Sequence, residues 1–304
     1  MTALGQGLAV SGAQPRARRA WPAWLRSPGV LCALPMLVFL ALSFAAPLLT
    51  VLGYSFLPPR TFDFGQGLTL ENYADVLTES YYLSFAKSLG LALATVALLL
   101  LVSWPIAYGM AKIFGAWANW LTLFLVIPLF VSENIRLFGW VLFLIKGGVL
   151  LGSLNTWLGI EADGLIYNVG AIVLGLVYVY LPFMLFPMVL GISMIPQDAT
   201  EAAEDLGASR WQVFREIELP LAMPGLLIGC LLTFILSLGS LAESKILGGQ
   251  AVIMIADEIE TAFTFGQNWP LGSALSVILI AFSGTLVIAL LRWLDLDRIL
   301  GRRP

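Results

Sequence analysis

Histidine does not occur in this chain, and charged residues make up only 12% of it against 59% hydrophobic. The first absence removes the serine–histidine–aspartate arrangement, the HExxH zinc helix and every imidazole general base. Cysteine is nearly missing too. Cys32 and Cys230 stand alone in apolar runs with no CxxC, which points to neither a zinc site nor a disulfide framework. No glycine is followed by lysine, so the GxxxxGK phosphate loop is lacking and any ATP driving this protein must be bound by another subunit. The shortage of charge carries the most information. Soluble domains are about a quarter charged, and sixteen Lys or Arg with nineteen Asp or Glu are too few to cover a globule of 304 residues. The solvent for most of this chain is therefore lipid. A net charge of −3 without a long basic block gives no reason to expect a nucleic-acid partner.

Long apolar runs are what the chain has instead. A hydrocarbon core about 30 Å thick takes roughly 20 residues of helix. Runs over 30–56 and 165–192 carry no charge, 83–111 carries only Lys87, and 119–145 carries Glu133 and Arg136. A fifth covers 222–243, ending in Glu243, and a sixth 271–291. The expected fold is all-α with six transmembrane helices, since the runs are too long and unbroken for barrel strands. The first run also exceeds the roughly 7–15 apolar residues of a cleaved signal peptide. Pro35, Pro47, Pro105, Pro128, Pro182, Pro187 and Pro224 fall in or beside these runs, where neighbouring helices or water satisfy the freed carbonyls.

Orientation follows from lysine and arginine. With the N-terminus in the cytoplasm, Arg16, Arg18, Arg19, Arg26, Lys112, Arg210, Arg215, Arg292, Arg298, Arg302 and Arg303 lie inside, and only Arg60, Lys146 and Lys245 outside. Trp21, Trp24, Trp117, Trp120 and Trp293 then fall near the inner interface, and Trp157 and Trp269 near the outer. This divides the chain into a cytoplasmic segment 1–29, a membrane domain 30–294 and a cytoplasmic tail 295–304. Outer loops cover 58–82, 146–164, which reads as an interfacial or re-entrant segment, and 248–270. In the last, Asp257, Glu258 and Glu260 read as a solvated surface.

The inner connection 196–220 reads PQDATEAAEDLGASRWQVFREIELP. Asp198 or Thr200 is placed to cap a first short helix, with Glu201 and Glu204 in its early turns. Gly207 ends it in the left-handed conformation, a second helix starts at Ser209, and Pro220 closes it. Val213, Phe214 and Ile217 form an apolar stripe on that second helix. The segment resembles the EAA loop of binding-protein-dependent ABC importer permeases: Glu201, Ala202 and Ala203, three residues, Gly207, nine residues, Ile217, one residue, then Leu219 and Pro220. Seven positions over twenty residues match without a departure in spacing. From about residue 30 the chain is also similar to the spermidine/putrescine-type permeases. The similarity rests on Pro128, Ser132, Arg136, Gly139 and Trp140, on the turn Gly152-Ser153-Leu154-Asn155, on Leu247-Gly248-Gly249 and on Asn268-Trp269-Pro270-Leu271-Gly272.

The resemblance implies a type I ABC importer permease fold with both termini cytoplasmic, in a bacterial inner membrane. It implies a non-enzymatic subunit whose 196–220 loop forms a coupling helix seated in a cleft of an ATPase, with Glu201 anchoring it and Gly207 making its turn. The partners implied are a second homologous permease, two ATPase subunits that hold ATP and magnesium, and a periplasmic binding protein. No cofactor or metal is expected in this chain. The solute implied is a polyamine, although permeases of this group also take up iron, sulfate, thiosulfate, opines and phosphonates.

Charges inside a membrane helix cost about 2.5–3.5 kcal/mol each on insertion scales and call for a reason. Glu133 and Arg136 stand one helical turn apart, so they either neutralise each other or line the pathway. A carboxylate at Glu133 suits a cationic solute, whereas Arg136 follows the family pattern. Glu243 reads either as an interfacial charge reaching water or as a pathway residue. Trp140, Tyr178 and Tyr180 read as packing residues or as cation–π partners for an ammonium group. An ion-coupled secondary transporter is the competing class. It would need more buried ionisable residues than Glu133, Arg136 and Lys87, and a membrane enzyme would need a nucleophile or metal cluster that the sequence lacks.

Overall fold

The computed structural model describes residues 28–159 and 163–293. The tails 1–27 and 294–304, with the cations and tryptophans assigned to them, lie outside the described residues. Every element among those described is helical. Six helical stretches are long and apolar enough to cross a membrane: Cys32–Tyr54, Tyr81–Ile113, Glu133–Trp157, Val169–Ser193, Arg210–Leu238 and Trp269–Arg292. The chain divides into two compact units, one through Thr50 and one from Val51 onward. The first contributes most of helix α1 (Pro28–Tyr54), on which Phe39, Leu42 and Phe44 are exposed.

In the second unit, α7 (Val169–Ser193) is the central element, packed against α3 (Tyr81–Tyr108) and α10 (Leu219–Leu238). Ile172, Leu176, Met184, Leu185, Met188 and Ile192 of α7 are fully buried. Lipid tails are as apolar as these side chains, so the driving force between helices is close packing rather than escape from water. Glycine supplies it. A Cβ on Gly191 would lie 3.0 Å from Gly225 Cα, one on Gly225 would overlap the Pro187 carbonyl, and one on Gly229 would lie 2.9 Å from the Met184 carbonyl. The α7 and α10 backbones touch along this line, as small residues four apart allow.

Three boundaries differ from the sequence reading. The run 119–145 is not one helix. It divides into α4 (Trp117–Val126) with a 3₁₀ turn Ile127–Phe130, and α5 (Glu133–Leu144). Pro128 tightens the turn, and Val131 and Ser132 are extended, with ψ of 135° and 136°. The third membrane stretch is instead α5 continued by α6 (Val149–Leu158) after a turn at 145–148, because twelve residues rise only about 18 Å. The fifth stretch ends at Leu238, and Glu243 lies beyond it on a separate five-residue helix, α11 (Ala242–Ile246). Finally, Pro220 does not close the second loop helix. It sits in the first turn of α10, where its missing N–H is tolerated, and the chain runs on as helix.

Candidate functional site

Two places combine unusual chemistry with defined geometry: the 196–220 connection and a pocket beside Glu133. The connection folds as α8 (Gln197–Asp205), a turn, and α9 (Arg210–Val213), which passes through a π-helical turn, Phe214–Glu218, into α10. Neither Asp198 nor Thr200 caps α8. Its N-cap position is Pro196, and the Thr200 hydroxyl donates back to the Gln197 carbonyl at 2.7 Å. Gly207 adopts φ of +85°, where a Cβ would be strained. The Gly207 and Ala208 amides donate to the carbonyls of Glu204 and Ala203, satisfying the end of α8. Ser209 and Gln212 then form a reciprocal capping box: the Ser209 amide donates to Gln212 Oε1 at 2.8 Å and its hydroxyl accepts from the Gln212 amide. This stiff pair of helices leaves Glu201, Ala202, Leu206 and Trp211 exposed, Leu206 at 90%.

The pocket, of about 570 Å³, is lined by Glu133 and Asn134 at the start of α5, Tyr180 of α7, Ile235 and Leu236 of α10, and the turn from Gly239 through Ala242 to Lys245 and Ile246. The break at Val131–Ser132 places Glu133 in the first turn of α5, where a carboxylate meets unpaired amides. No ion pair between Glu133 and Arg136 occurs among the described residues. Arg136 turns instead to the Tyr178 ring, 5.7 Å from its centroid, and Tyr178 packs edge-on against Trp140 at 5.5 Å. These three occupy one another beside the pocket rather than lining it. The aromatic side chain in the lining is Tyr180.

Glu243 lies behind the wall and is 0% exposed, so it is not a charge reaching water. Ser240 donates to its Oε2, while Oε1 is buried without a partner. Burial raises its pKa above the ordinary carboxylate value and Glu133 adds to the rise, opposed by the hydrogen bond from Ser240. Lys245 brings a positive charge to the same lining, but it is paired with Glu260 of α12 (Ile255–Thr264). Glu133 is thus the one charge in the lining that makes no ion pair among the described residues. Asp257, Glu258 and Glu260 do not form the free acidic surface expected. Asp257 accepts from the Ser244 hydroxyl at 2.7 Å and the Met254 amide at 2.9 Å, and Glu258 accepts from the Ser84 hydroxyl at 3.0 Å. Sequence reasoning missed Ser240 and gave Tyr180 no special place, because only the turn after α10 and the packing of α7 bring them beside Glu133.

Residues 103–298 match the family of binding-protein-dependent transport system inner membrane components. Escherichia coli (strain K12) spermidine/putrescine transport system permease protein PotB is 33% identical over 245 residues, covering 80% of this chain and 89% of PotB. The PotB protein of Haemophilus influenzae is 34% identical over 248 residues, 81% of this chain and 87% of its own. Among solved structures, a bacterial ABC transporter involved in import of the acidic polysaccharide alginate has a chain of the same fold. Its TM-score is 0.65 at 16% identity, covering 89% of this chain and 98% of that one. The chain therefore belongs to the binding-protein-dependent transport system inner membrane components, as a multi-pass permease subunit of the ABC-importer type.

Proposed function

We propose that this permease imports a polyamine such as putrescine or spermidine, with Glu133 as the carboxylate that meets one of its ammonium groups. The observation that carries the proposal is a pocket holding Glu133 and Tyr180 together, with Lys245 already paired to Glu260. A dication entering such a lining gains a charged hydrogen bond and an aromatic face, worth about 1.5–3 and 0.5–2 kcal/mol. An anionic solute would meet repulsion there. The polyamine permeases that align over four fifths of the chain support the same class of solute.

In this reading α8 is the coupling helix on the cytoplasmic side. Its exposed Glu201 and Leu206 seat in a cytoplasmic ATPase subunit, which binds ATP and magnesium. A second homologous permease completes the pathway, two ATPase copies drive it, and a periplasmic binding protein delivers the solute. Closure of the ATPases moves α7 and α10 together, because their backbones are in contact. The test is uptake of labelled putrescine into proteoliposomes holding the whole complex. Glu133→Gln is expected to raise the half-saturating concentration of loaded binding protein or lower uptake by about tenfold, about 1.4 kcal/mol. Unchanged putrescine uptake would remove Glu133 from the account, and uptake indifferent to ATP would remove the importer mechanism.

A further inference from the structure

Proline stands at both roots of the 196–220 connection. Pro196 follows the end of α7 and Pro220 opens α10, so neither root has an amide donor at that position. One short stretch, from the end of α3 into the π-helical turn Gly109–Ile113, supplies side-chain donors to both. The Lys112 ammonium donates to the Ile195 carbonyl at 3.0 Å, one residue before Pro196. The Tyr108 hydroxyl donates to Glu218 Oε1 at 3.1 Å, two residues before Pro220. One turn earlier Trp104 packs edge-on against Phe214 at 5.5 Å, and Phe214 in turn stacks on the exposed Trp211 at 5.3 Å. Trp104, Tyr108 and Lys112 recur every four residues, which sets them along one side of the helix.

The backbone is unusual at both halves of this contact. α3 is followed directly by a π-helical stretch, Gly109–Ile113, and the connection enters α10 through another, Phe214–Glu218. Such widened turns are rare and collect at functional sites. A Cβ at Gly109 would lie 2.6 Å from the Phe114 ring, so glycine leaves the room in which that ring packs against the helix. Glu218 is only 8% exposed, and a buried carboxylate needs its donor.

We infer that Trp104, Tyr108 and Lys112 form a clamp that holds both roots of the connection to α3. A push on α8 then moves α3, α7 and α10 as one body instead of swivelling the loop about its prolines. The clamp residues are positioning residues. The inference rests on the coupling role proposed for α8, and it adds the element that makes the coupling stiff.

The test compares uptake with ATP hydrolysis in the reconstituted complex. In the Tyr108→Phe, Lys112→Met double variant, hydrolysis stimulated by loaded binding protein is expected to stay within about twofold while solute moved per ATP falls about fivefold or more. Glu218→Gln keeps an acceptor for Tyr108 and is expected to hold the ratio within about twofold of the parent. A merely structural role would lower hydrolysis and uptake together, and an unchanged ratio overturns the clamp. Failure of the parent chain to bind any ATPase subunit would instead remove the coupling role of α8. If the double variant yields no complex, amide hydrogen exchange of Tyr108→Phe alone decides: several-fold faster exchange over 214–218 supports the clamp, and parent-like exchange overturns it.

Discussion

The two ends of the α7–α10 pair differ in how the helices meet. Toward the 196–220 connection they meet backbone to backbone at Gly191 and Gly225, with no room for a single methyl group between them, while an apolar cavity of about 780 Å³ opens alongside, against Leu190, Met194, Leu221 and Ile228. At the other end Tyr180 of α7 and Ile235 and Leu236 of α10 border a pocket of about 570 Å³ with Glu133 on its rim. Backbone contact transmits force because close-packed atoms do not compress, while the side chains around a polar pocket leave room for a small rotation to change its shape. The difference matches a division of labour between the end that receives movement and the end that presents a site.

Filling the glycine contact is the most direct way to break that contrast. Gly225→Val puts methyl groups onto the Pro187 carbonyl and Gly191, and is expected to destabilise the chain by at least about 3 kcal/mol. Loss of monodisperse protein on gel filtration, or a fall in thermal midpoint, would register it. Reversing the exposed charge on the loop comes next. Glu201→Lys should weaken capture of the ATPase subunit by about tenfold, about 1.4 kcal/mol, with the thermal midpoint within error of the parent. A shifted midpoint would mean that Glu201 belongs to the fold and not to a partner surface.

At the Glu133 end the sharpening test is pH. Glu243 has a raised pKa in the folded chain, so below the ordinary carboxylate range both folded and unfolded forms are protonated and no penalty applies. As pH rises between the unfolded and folded values, only the unfolded chain ionises, and stability falls. The parent should therefore lose thermal stability through that window while Glu243→Gln, neutral throughout, shows a flatter profile. Parallel profiles would place the source of any slope elsewhere. The smallest expected effect is Ser209→Ala, which removes the hydroxyl side of the capping box and should cost about 1 kcal/mol, read as a fall in thermal midpoint.

The two regions were also unequally legible. The 196–220 connection could be read nearly residue by residue, since its chemistry is local: Gly207 turns, Ser209 caps, and the EAA spacing follows the chain. Its two misreadings were the cap of α8, expected at Asp198 or Thr200 where Pro196 stands, and Pro220 as a stop, which came from giving proline its meaning at a helix end when it stands in a first turn. The six membrane stretches were visible as hydropathy, but the break at Val131–Ser132 was not, because apolar residues continue on both sides of it. The pocket was least legible. Glu133 could be singled out by the cost of a charge in an apolar run. Its neighbours come from α7 and from a turn about a hundred residues further on. Nothing in the sequence shows that Arg136 spends itself on Tyr178, or that Glu243 is fully enclosed.

Movement imposed on α8 is delivered through the α7–α10 backbone contact to the pocket beside Glu133. Nitroxides on Asn134→Cys and Leu236→Cys, two lining positions on α5 and α10, report the pocket's width through their dipolar broadening once Cys32 and Cys230 are replaced. In the assembled complex, addition of ATP with loaded binding protein should shift that distance by several ångströms, and Glu201→Lys should abolish the shift. A distance that stays the same through ATP binding and hydrolysis, in a complex that still takes up solute, would contradict the account.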